Sequence, residues 1–251
     1  MSALGSAVAA EWVKVRSLPS TWWTLAGFAA VSLGLGYVVA GSFADLEQEA
    51  DPLAANFFGL LLGQLALIMF AVASVGSEYA TGTIRASLAA VPSRGRFLAA
   101  KMLAVGLVAA AAALAVELAT FAVVQWRLGE RGSPLGEWAT VEALLGGWIH
   151  LTLLSVFTAA VAALLRSTVI ALSVLLPVLF LSSQGLGNVA AIKPVAQYLP
   201  DQVGMVIMRL TFPGDPQFGR DYGAWTGIGI LVLWTAAALA AAWLSVRRRD
   251  A

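Results

Sequence analysis

Two titratable side chains lie inside long apolar stretches of the sequence and are the first candidates for chemistry. Glu117 interrupts the apolar run 102–126, and His150, the single histidine, lies within the run 143–165. An ionised group at the centre of a bilayer costs about 2.5 to 3.5 kcal/mol on insertion scales, so we expect Glu117 to face protein or water, or to be protonated. Two interpretations stay open for both residues: a place on a substrate pathway, or a helix-packing hydrogen bond to each other or to Ser or Thr.

The chain lacks the residue sets that common enzyme classes use. With no cysteine and one histidine, it has no disulfide, thiolate metal site, cysteine nucleophile or multi-histidine metal site. Neither a Gly-x-Ser-x-Gly elbow nor a His-Glu-x-x-His pair is present, and the apolar runs contain no aspartate to act beside His150. A Gly-x-x-x-x-Gly-Lys-Ser/Thr phosphate loop is also absent. We therefore assign no catalytic residue and no metal ligand, and we expect ATP to bind elsewhere.

The composition indicates that membrane helices must position these groups. Hydrophobic residues make up 60% of the 251 residues and charged residues 12%, whereas soluble domains carry about 25% charged residues. The net charge of +1, without a long basic stretch, argues against nucleic acid as a partner. The chain therefore needs lipid around it.

Six runs with few or no charges are long enough to cross about 30 Å of hydrocarbon, which takes about 20 helical residues. They cover residues 22–44, 52–77, 102–126, 143–165, 167–186 and 222–246. A cleavable signal peptide is the competing interpretation of the first run, but this run starts late and exceeds the usual apolar length of such peptides. The sequence thus predicts an all-α integral membrane protein with one transmembrane domain over 1–251.

The distribution of Lys and Arg predicts the orientation of these spans. If the N-terminus is inside the cell, ten of the fifteen Lys and Arg residues fall on the cytoplasmic side, including the C-terminal run 247–249. The first outer loop then holds four acids and no base: Asp45, Glu47, Glu49 and Asp51. We expect a multi-pass protein of the cell membrane with both termini in the cytoplasm.

Two segments outside the spans have helical patterns. Leu4, Val8, Trp12 and Val15 recur at helical spacing with Glu11, Lys14 and Arg16 largely off that stripe, which predicts an interfacial helix over about 2–18; a disordered leader is the alternative. In the segment 78–101, Ile84, Leu88 and Val91 share a face, with Thr83 placed to cap a short helix and Pro92 to limit it. This segment is either a rigid cytoplasmic knob between two spans or a positively charged topology loop.

The order of these elements resembles the six-span permease subunit of type-2 ATP-binding-cassette (ABC) transporters, over essentially the whole chain. The residues that carry the resemblance are Glu-x-x-x-Gly-Thr-x-Arg at 78–85, the Pro-Ser-Arg turn at 92–94 and Lys101. The resemblance implies that the short helix after the second span is a coupling helix, which docks into a separate nucleotide-binding subunit. The implied ATPase-coupling residues, including the apolar face of this helix, are Glu78, Gly82, Thr83, Ile84, Arg85, Leu88, Pro92, Arg94 and Lys101.

The outer segment 187–221 contains an apolar piece, 203–210, that is too short to cross a bilayer. It either dips into the outer leaflet and returns, as the short outer re-entrant helices of the family do, or forms a surface helix. Small residues such as Gly34 and Gly36 predict close helix packing. Tight packing leaves little room inside one six-helix unit, so a pathway between two copies is expected, with a heterodimer as the alternative.

We therefore expect the membrane-spanning subunit of an ATP-driven exporter, two copies of which pair with two copies of an ATPase that binds ATP and Mg²⁺. The sequence leaves the substrate open among a drug, an antimicrobial peptide, a lipid-linked molecule and a cation. An ATP-independent secondary carrier or channel is the alternative, but it would carry more polar groups at mid-membrane. An intramembrane enzyme would need a catalytic set that is absent.

Overall fold

The computed structural model describes residues 3–44, 51–91, 93–183, 188–211, 214 and 218–248. In these ranges the secondary structure is helical, without strands, which confirms the all-α prediction. The helices, in chain order, are α1 (Ala3–Ser17), α2 (Pro19–Ala44), α3 (Pro52–Thr81), α4 (Ile84–Ala90), α5 (Arg94–Leu128), α6 (Trp138–Leu165), α7 (Thr168–Ser183), α8 (Lys193–Ala196) and α9 (Ala224–Arg248).

Five helices of the described chain are long and apolar enough to cross a membrane: α2, α3, α5, α6 and α9. Helix α7 corresponds to the remaining predicted span, but it has 16 residues and so extends about 24 Å. The predicted end of that span, 184–186, lies outside the described residues. The protein therefore has five to six membrane-spanning helices.

Helix α1 continues almost directly into α2, because Leu18 alone separates them and Pro19 begins the new helix. The buried side of α1 carries Glu11 and Val15, whereas Leu4 and Trp12 are more than a third exposed. The predicted apolar stripe is thus divided between protein and surroundings. The charged side of the helix faces protein, because Glu11 finds cationic partners there.

Helices α2 and α3 approach closely at small residues. A Cβ on Gly59 would lie 2.3 Å from the carbonyl oxygen of Ser32, and one on Gly63 would lie 2.0 Å from the Ser32 hydroxyl. Gly36 also lies at this contact, but Gly34 has open space around it. A small-x-x-x-small pattern on each helix therefore fixes this pair.

The described part of the outer segment is a series of turns packed between α6 and α9. It includes α8 and a short 3-10 helix, Gln202–Gly204. Ile207 fills the space above Gly146 of α6, and the carbonyl of Val203 lies against Gly227 of α9. The Trp234 indole donates a 2.8 Å hydrogen bond to the carbonyl of Tyr198. The apolar part of this segment is therefore buried against protein.

Candidate functional site

Four charged side chains from three helices form one cluster, which we call the four-charge cluster: Glu11, Lys14, Glu78 and Lys101. The Lys101 ammonium lies 2.6 Å from Glu11 Oε2 and 3.0 Å from Glu78 Oε1. The Lys14 ammonium lies 2.6 Å from Glu11 Oε1 and 2.8 Å from Glu78 Oε1. Two carboxylates and two ammonium groups balance, so the cluster is neutral.

The helix dipoles act on two charges of the cluster in opposite ways. Glu78 lies in the last turn of α3, where the dipole disfavours a carboxylate, whereas Lys14 lies in the last turn of α1, where the dipole favours a cation. The side chains of Glu78, Lys101 and Glu11 are almost fully buried. A buried charge without a partner costs several kcal/mol, so each of these groups depends on the others.

The pKa of Lys14 shows that attraction to carboxylates outweighs burial in the cluster. Burial by itself lowers the pKa of Lys14, but the hydrogen bonds and charges of Glu11 and Glu78 outweigh it, and the pKa is raised above 10.5. Lys14 is therefore protonated at neutral pH. It donates a third hydrogen bond, of 2.9 Å, to the hydroxyl of Ser87 on α4.

Helix α4 follows α3 after a tight turn and is attached to the cluster through Ser87. Gly82 ends α3 with a φ of 71°, the left-handed region that glycine adopts without a steric penalty, and this bend directs the chain into α4. Ile84 is buried, whereas Arg85 is exposed. A cavity of about 330 Å³ between α1, α4 and α5 is bordered by small side chains, among them Ala86 and Ala90.

The structure brings some of the predicted coupling residues together and separates others. Glu78 and Lys101 belong to the four-charge cluster, together with Glu11 and Lys14, which the sequence did not single out as site residues. Thr83 lies at the N-cap position directly before α4 but makes no side-chain capping bond, and its Oγ1 lies 2.9 Å from Thr81 Oγ1 instead. The side chain of Leu88 and all of Pro92 lie outside the described residues.

Arg94 lies at a different contact, the end of α9. Its Nη1 donates a 2.9 Å hydrogen bond to the carbonyl of Val246. Arg166, which follows α6, donates a 3.1 Å bond to the carbonyl of Ser245 and places its guanidinium 6.0 Å from the centre of the Tyr79 ring. Two arginines thus bind carbonyls in the last turn of α9, where a helix runs out of its own backbone donors.

Glu117 and His150 are each about 1% exposed and lie within the helix bundle. Among the described residues, neither the carboxylate oxygens of Glu117 nor the ring nitrogens of His150 have a hydrogen-bond partner. The predicted packing bond between them, or to Ser or Thr, is therefore not formed in the described chain. Buried polar atoms of this kind usually find a protein group, water or ligand.

One glycine lies against each of the side chains of Glu117 and His150. A Cβ on Gly147 would lie 2.4 Å from Glu117 Oε1, and one on Gly204 would lie 2.3 Å from His150 Nδ1. The carboxylate of α5 therefore lies against the backbone of α6, one turn before His150. Asn56 of α3 is also fully buried, with both side-chain polar atoms unpartnered in the described residues. An asparagine in the apolar run 52–77 was the sequence signal for this third polar group.

Together, the apolar helices and the short helix α4, which is hydrogen-bonded to the four-charge cluster, define a multi-pass α-helical membrane protein. A family model described as "ABC-2 family transporter protein" matches residues 7–188, more than half of the chain. The chain therefore belongs to the ABC-2 transporter family and is a membrane transport protein of the permease type. The comparison with curated proteins finds no match.

Proposed function

We propose that the chain is the membrane-spanning permease subunit of an ATP-driven exporter of the cell membrane. Two copies would pair with each other and with two copies of a separate ATPase, which binds ATP and Mg²⁺ and docks on α4. The four-charge cluster supports this proposal. A helix that serves as a handle for a soluble partner must be fixed to the spans that it moves.

The route of transmission follows from the contacts of the cluster. A force on α4 passes through Ser87 to Lys14, and from Lys14 to Glu11 and Glu78. Lys101 joins the same two carboxylates, so α1, α3 and α5 respond together. Arg85 is exposed on α4 and is the side chain that we assign to contact with the ATPase.

Glu117 and His150 are our candidates for the transport pathway. Their unpartnered polar atoms are positioned to accept hydrogen bonds from water or substrate when the helices rearrange. An ATP-independent carrier or channel is the competing function. A carrier of that kind would work without α4 contacting another protein.

The test separates docking from transmission. The tagged chain is co-expressed with a soluble phosphate-loop ATPase encoded beside its gene, and pull-down and ATPase stimulation are both measured. We expect Arg85→Ala to reduce the pull-down, because Arg85 is exposed and outside the cluster. We expect Glu78→Gln to keep the pull-down but reduce stimulation of ATP hydrolysis, because it weakens the link between α4 and the spans.

Arg248→Ala is the matched control, since Arg248 is another exposed arginine, at the far end of α9. It should leave both measurements unchanged. If Arg85→Ala and Glu78→Gln leave binding and stimulation at the wild-type level, α4 is not the coupling helix. Transport by the chain reconstituted without an ATPase would support the carrier instead.

The side of the membrane on which α4 lies can be measured directly, because the chain has no cysteine. Ala89→Cys places a single thiol on the exposed part of α4, and Glu130→Cys places one in the exposed turn after α5. In intact cells, a membrane-impermeant maleimide should label position 130 and spare position 89. Labelling of position 89 from outside would reverse the orientation and rule out docking of a cytoplasmic ATPase there.

A further inference from the structure

A cavity of about 810 Å³ lies near the other end of the bundle, away from α4. It is enclosed by α2, α3, α6, the start of α9 and the turn 206–211 of the outer segment. Cavities of about 300 to 1,000 Å³ accommodate small organic ligands. Most of the lining is apolar, including Phe43, Phe58 and Leu210.

Three charged side chains line this cavity among the described residues: Asp51, Glu142 and Arg209. Arg209 Nη1 lies 3.6 Å from Asp51 Oδ2, so these two charges offset each other. Asp51 also accepts a 2.9 Å hydrogen bond from the backbone N–H of Leu53 as the N-cap of α3. Asp51 is therefore already engaged by a cation and a helix end.

Glu142 has a different environment. Its Oε1 accepts a 2.6 Å hydrogen bond from the indole N–H of Trp225, which is a neutral donor. The bond orients the carboxylate and leaves its charge in place. The two carboxylates and one guanidinium of the lining have a net formal charge of minus one. Because Arg209 offsets Asp51, the excess negative charge lies at Glu142.

The backbone at Arg209 maintains this charge arrangement. Arg209 has a φ of 55°, a left-handed conformation that costs a non-glycine residue free energy. The backbone N–H of Leu210 donates to the carbonyl of Met205, and the backbone N–H of Arg209 donates to the carbonyl of Val206. These are the two hydrogen bonds of a Schellman turn. Glycine is the usual residue at this position of the turn. Arginine occupies it here, and its guanidinium lies beside Asp51.

We propose that this cavity is a binding site for a monocationic amphiphile, with its cationic group at Glu142 and its apolar body between Phe43, Phe58 and Leu210. The aromatic rings can also face the cation directly. The proposal concerns binding alone and does not depend on export or on ATP, so it can fail while the proposed function stands.

The test uses radiolabelled tetraphenylphosphonium as the cation and tetraphenylborate as the anion of similar size and shape. The full chain is studied in phosphatidylcholine nanodiscs by equilibrium dialysis. We expect saturable binding of the phosphonium only, and about tenfold weaker binding to Glu142→Gln. Glu137→Gln, which removes an exposed carboxylate outside the cavity, should bind as wild type does.

Two further variants keep the test decisive if Glu142→Gln is poorly folded. Arg209→Gly retains the left-handed turn and removes the guanidinium, so we expect several-fold tighter phosphonium binding. Ala139→Phe fills the cavity without changing its charge, and we expect it to abolish binding. Equal binding of phosphonium and borate, or no response to all three substitutions, would overturn the proposal. A retained zwitterionic phospholipid in native mass spectra, unaffected by Glu142→Gln, would assign the cavity to lipid and overturn it as well.

Discussion

The ammonium of Lys101 lies 2.6 Å from a carboxylate oxygen of Glu11, a residue 90 positions earlier in the chain, and both side chains are buried. This contact joins the N-terminal helix to the third long helix of the bundle. Since Glu11 also binds Lys14, and Lys14 reaches Ser87, the same contact continues to α4. The position of α1 is therefore coupled to that of α4 through charges.

Removal of the buried ammonium should destabilise the protein more than removal of the exposed one. Lys101→Met leaves Glu11 and Glu78 with Lys14 as their shared cation, and breaking a buried pair in this way costs about 3 to 5 kcal/mol. Lys14→Met is the matched substitution at a side chain that is 40% exposed, where water replaces part of the interaction. We expect Lys101→Met to lower Tm in detergent clearly further than Lys14→Met does. Equal shifts would mean that burial does not govern the energetics of the cluster.

Stability should depend on pH through Lys14 at alkaline pH. The pKa of Lys14 in the folded protein is raised above 10.5 because Glu11 and Glu78 outweigh the effect of burial. A raised pKa stabilises the fold at any pH below the unfolded value, and the stabilisation is lost as pH rises through the folded value. The Tm difference between wild type and Lys14→Met should therefore be constant between about pH 7 and 9.5 and shrink above pH 10.5. A difference that grows at high pH would contradict this sign.

Apolar run length was sufficient to predict the long helices. The predicted runs 52–77 and 143–165 lie inside α3 and α6, and the run 222–246 corresponds to α9. Helix ends were harder to predict, because charged and polar residues continue a helix when its first or last turn contacts protein. Thus α3 extends to Thr81 with Glu78 inside it, beyond the predicted end of the span at residue 77.

The composition of the candidate site was only partly predictable. Glu78 and Lys101 were identified through the family resemblance, but their pairing with Glu11 and Lys14 requires knowing how α1 lies across α3 and α5. Periodicity placed Glu11 off the apolar stripe of α1, whereas in the structure Glu11 lies on the buried side of the helix together with Val15 of that stripe. The contacts of Arg94 and Arg166 with the end of α9 were unpredictable for a similar reason. A backbone carbonyl that accepts a bond from a distant side chain has no signature in the sequence.

Arg166 provides a test of backbone strain, because it ends α6 with a φ of 56°. The left-handed conformation costs a non-glycine residue about 1 to 2 kcal/mol, and glycine avoids that cost. Arg166→Gly and Arg166→Ala both remove the guanidinium, so their difference isolates the backbone. We expect the glycine variant to be the more stable of the two by about 1 kcal/mol in chemical unfolding. At the exposed helical position 122, Ala122→Gly should instead lower the free energy of unfolding, because glycine disfavours the helical conformation of α5.

Gly59 and Gly34 should respond in opposite ways to the addition of one methyl group. A Cβ at Gly59 would lie 2.3 Å from the Ser32 carbonyl oxygen and 2.8 Å from the Gly36 backbone nitrogen, which belong to a helix backbone and cannot rotate away. Helices α2 and α3 would have to separate, and such overpacking costs about 1 to 3 kcal/mol or more. Gly34 has no heavy atom within 4 Å of the same position, so alanine there should be neutral or should stabilise α2 by up to about 1 kcal/mol. Thermal unfolding in detergent checks both variants. If Gly59→Ala melts at the wild-type temperature, the two helices do not pack through this glycine face, and the close contact between Ser32 and Gly59 is not what holds them together.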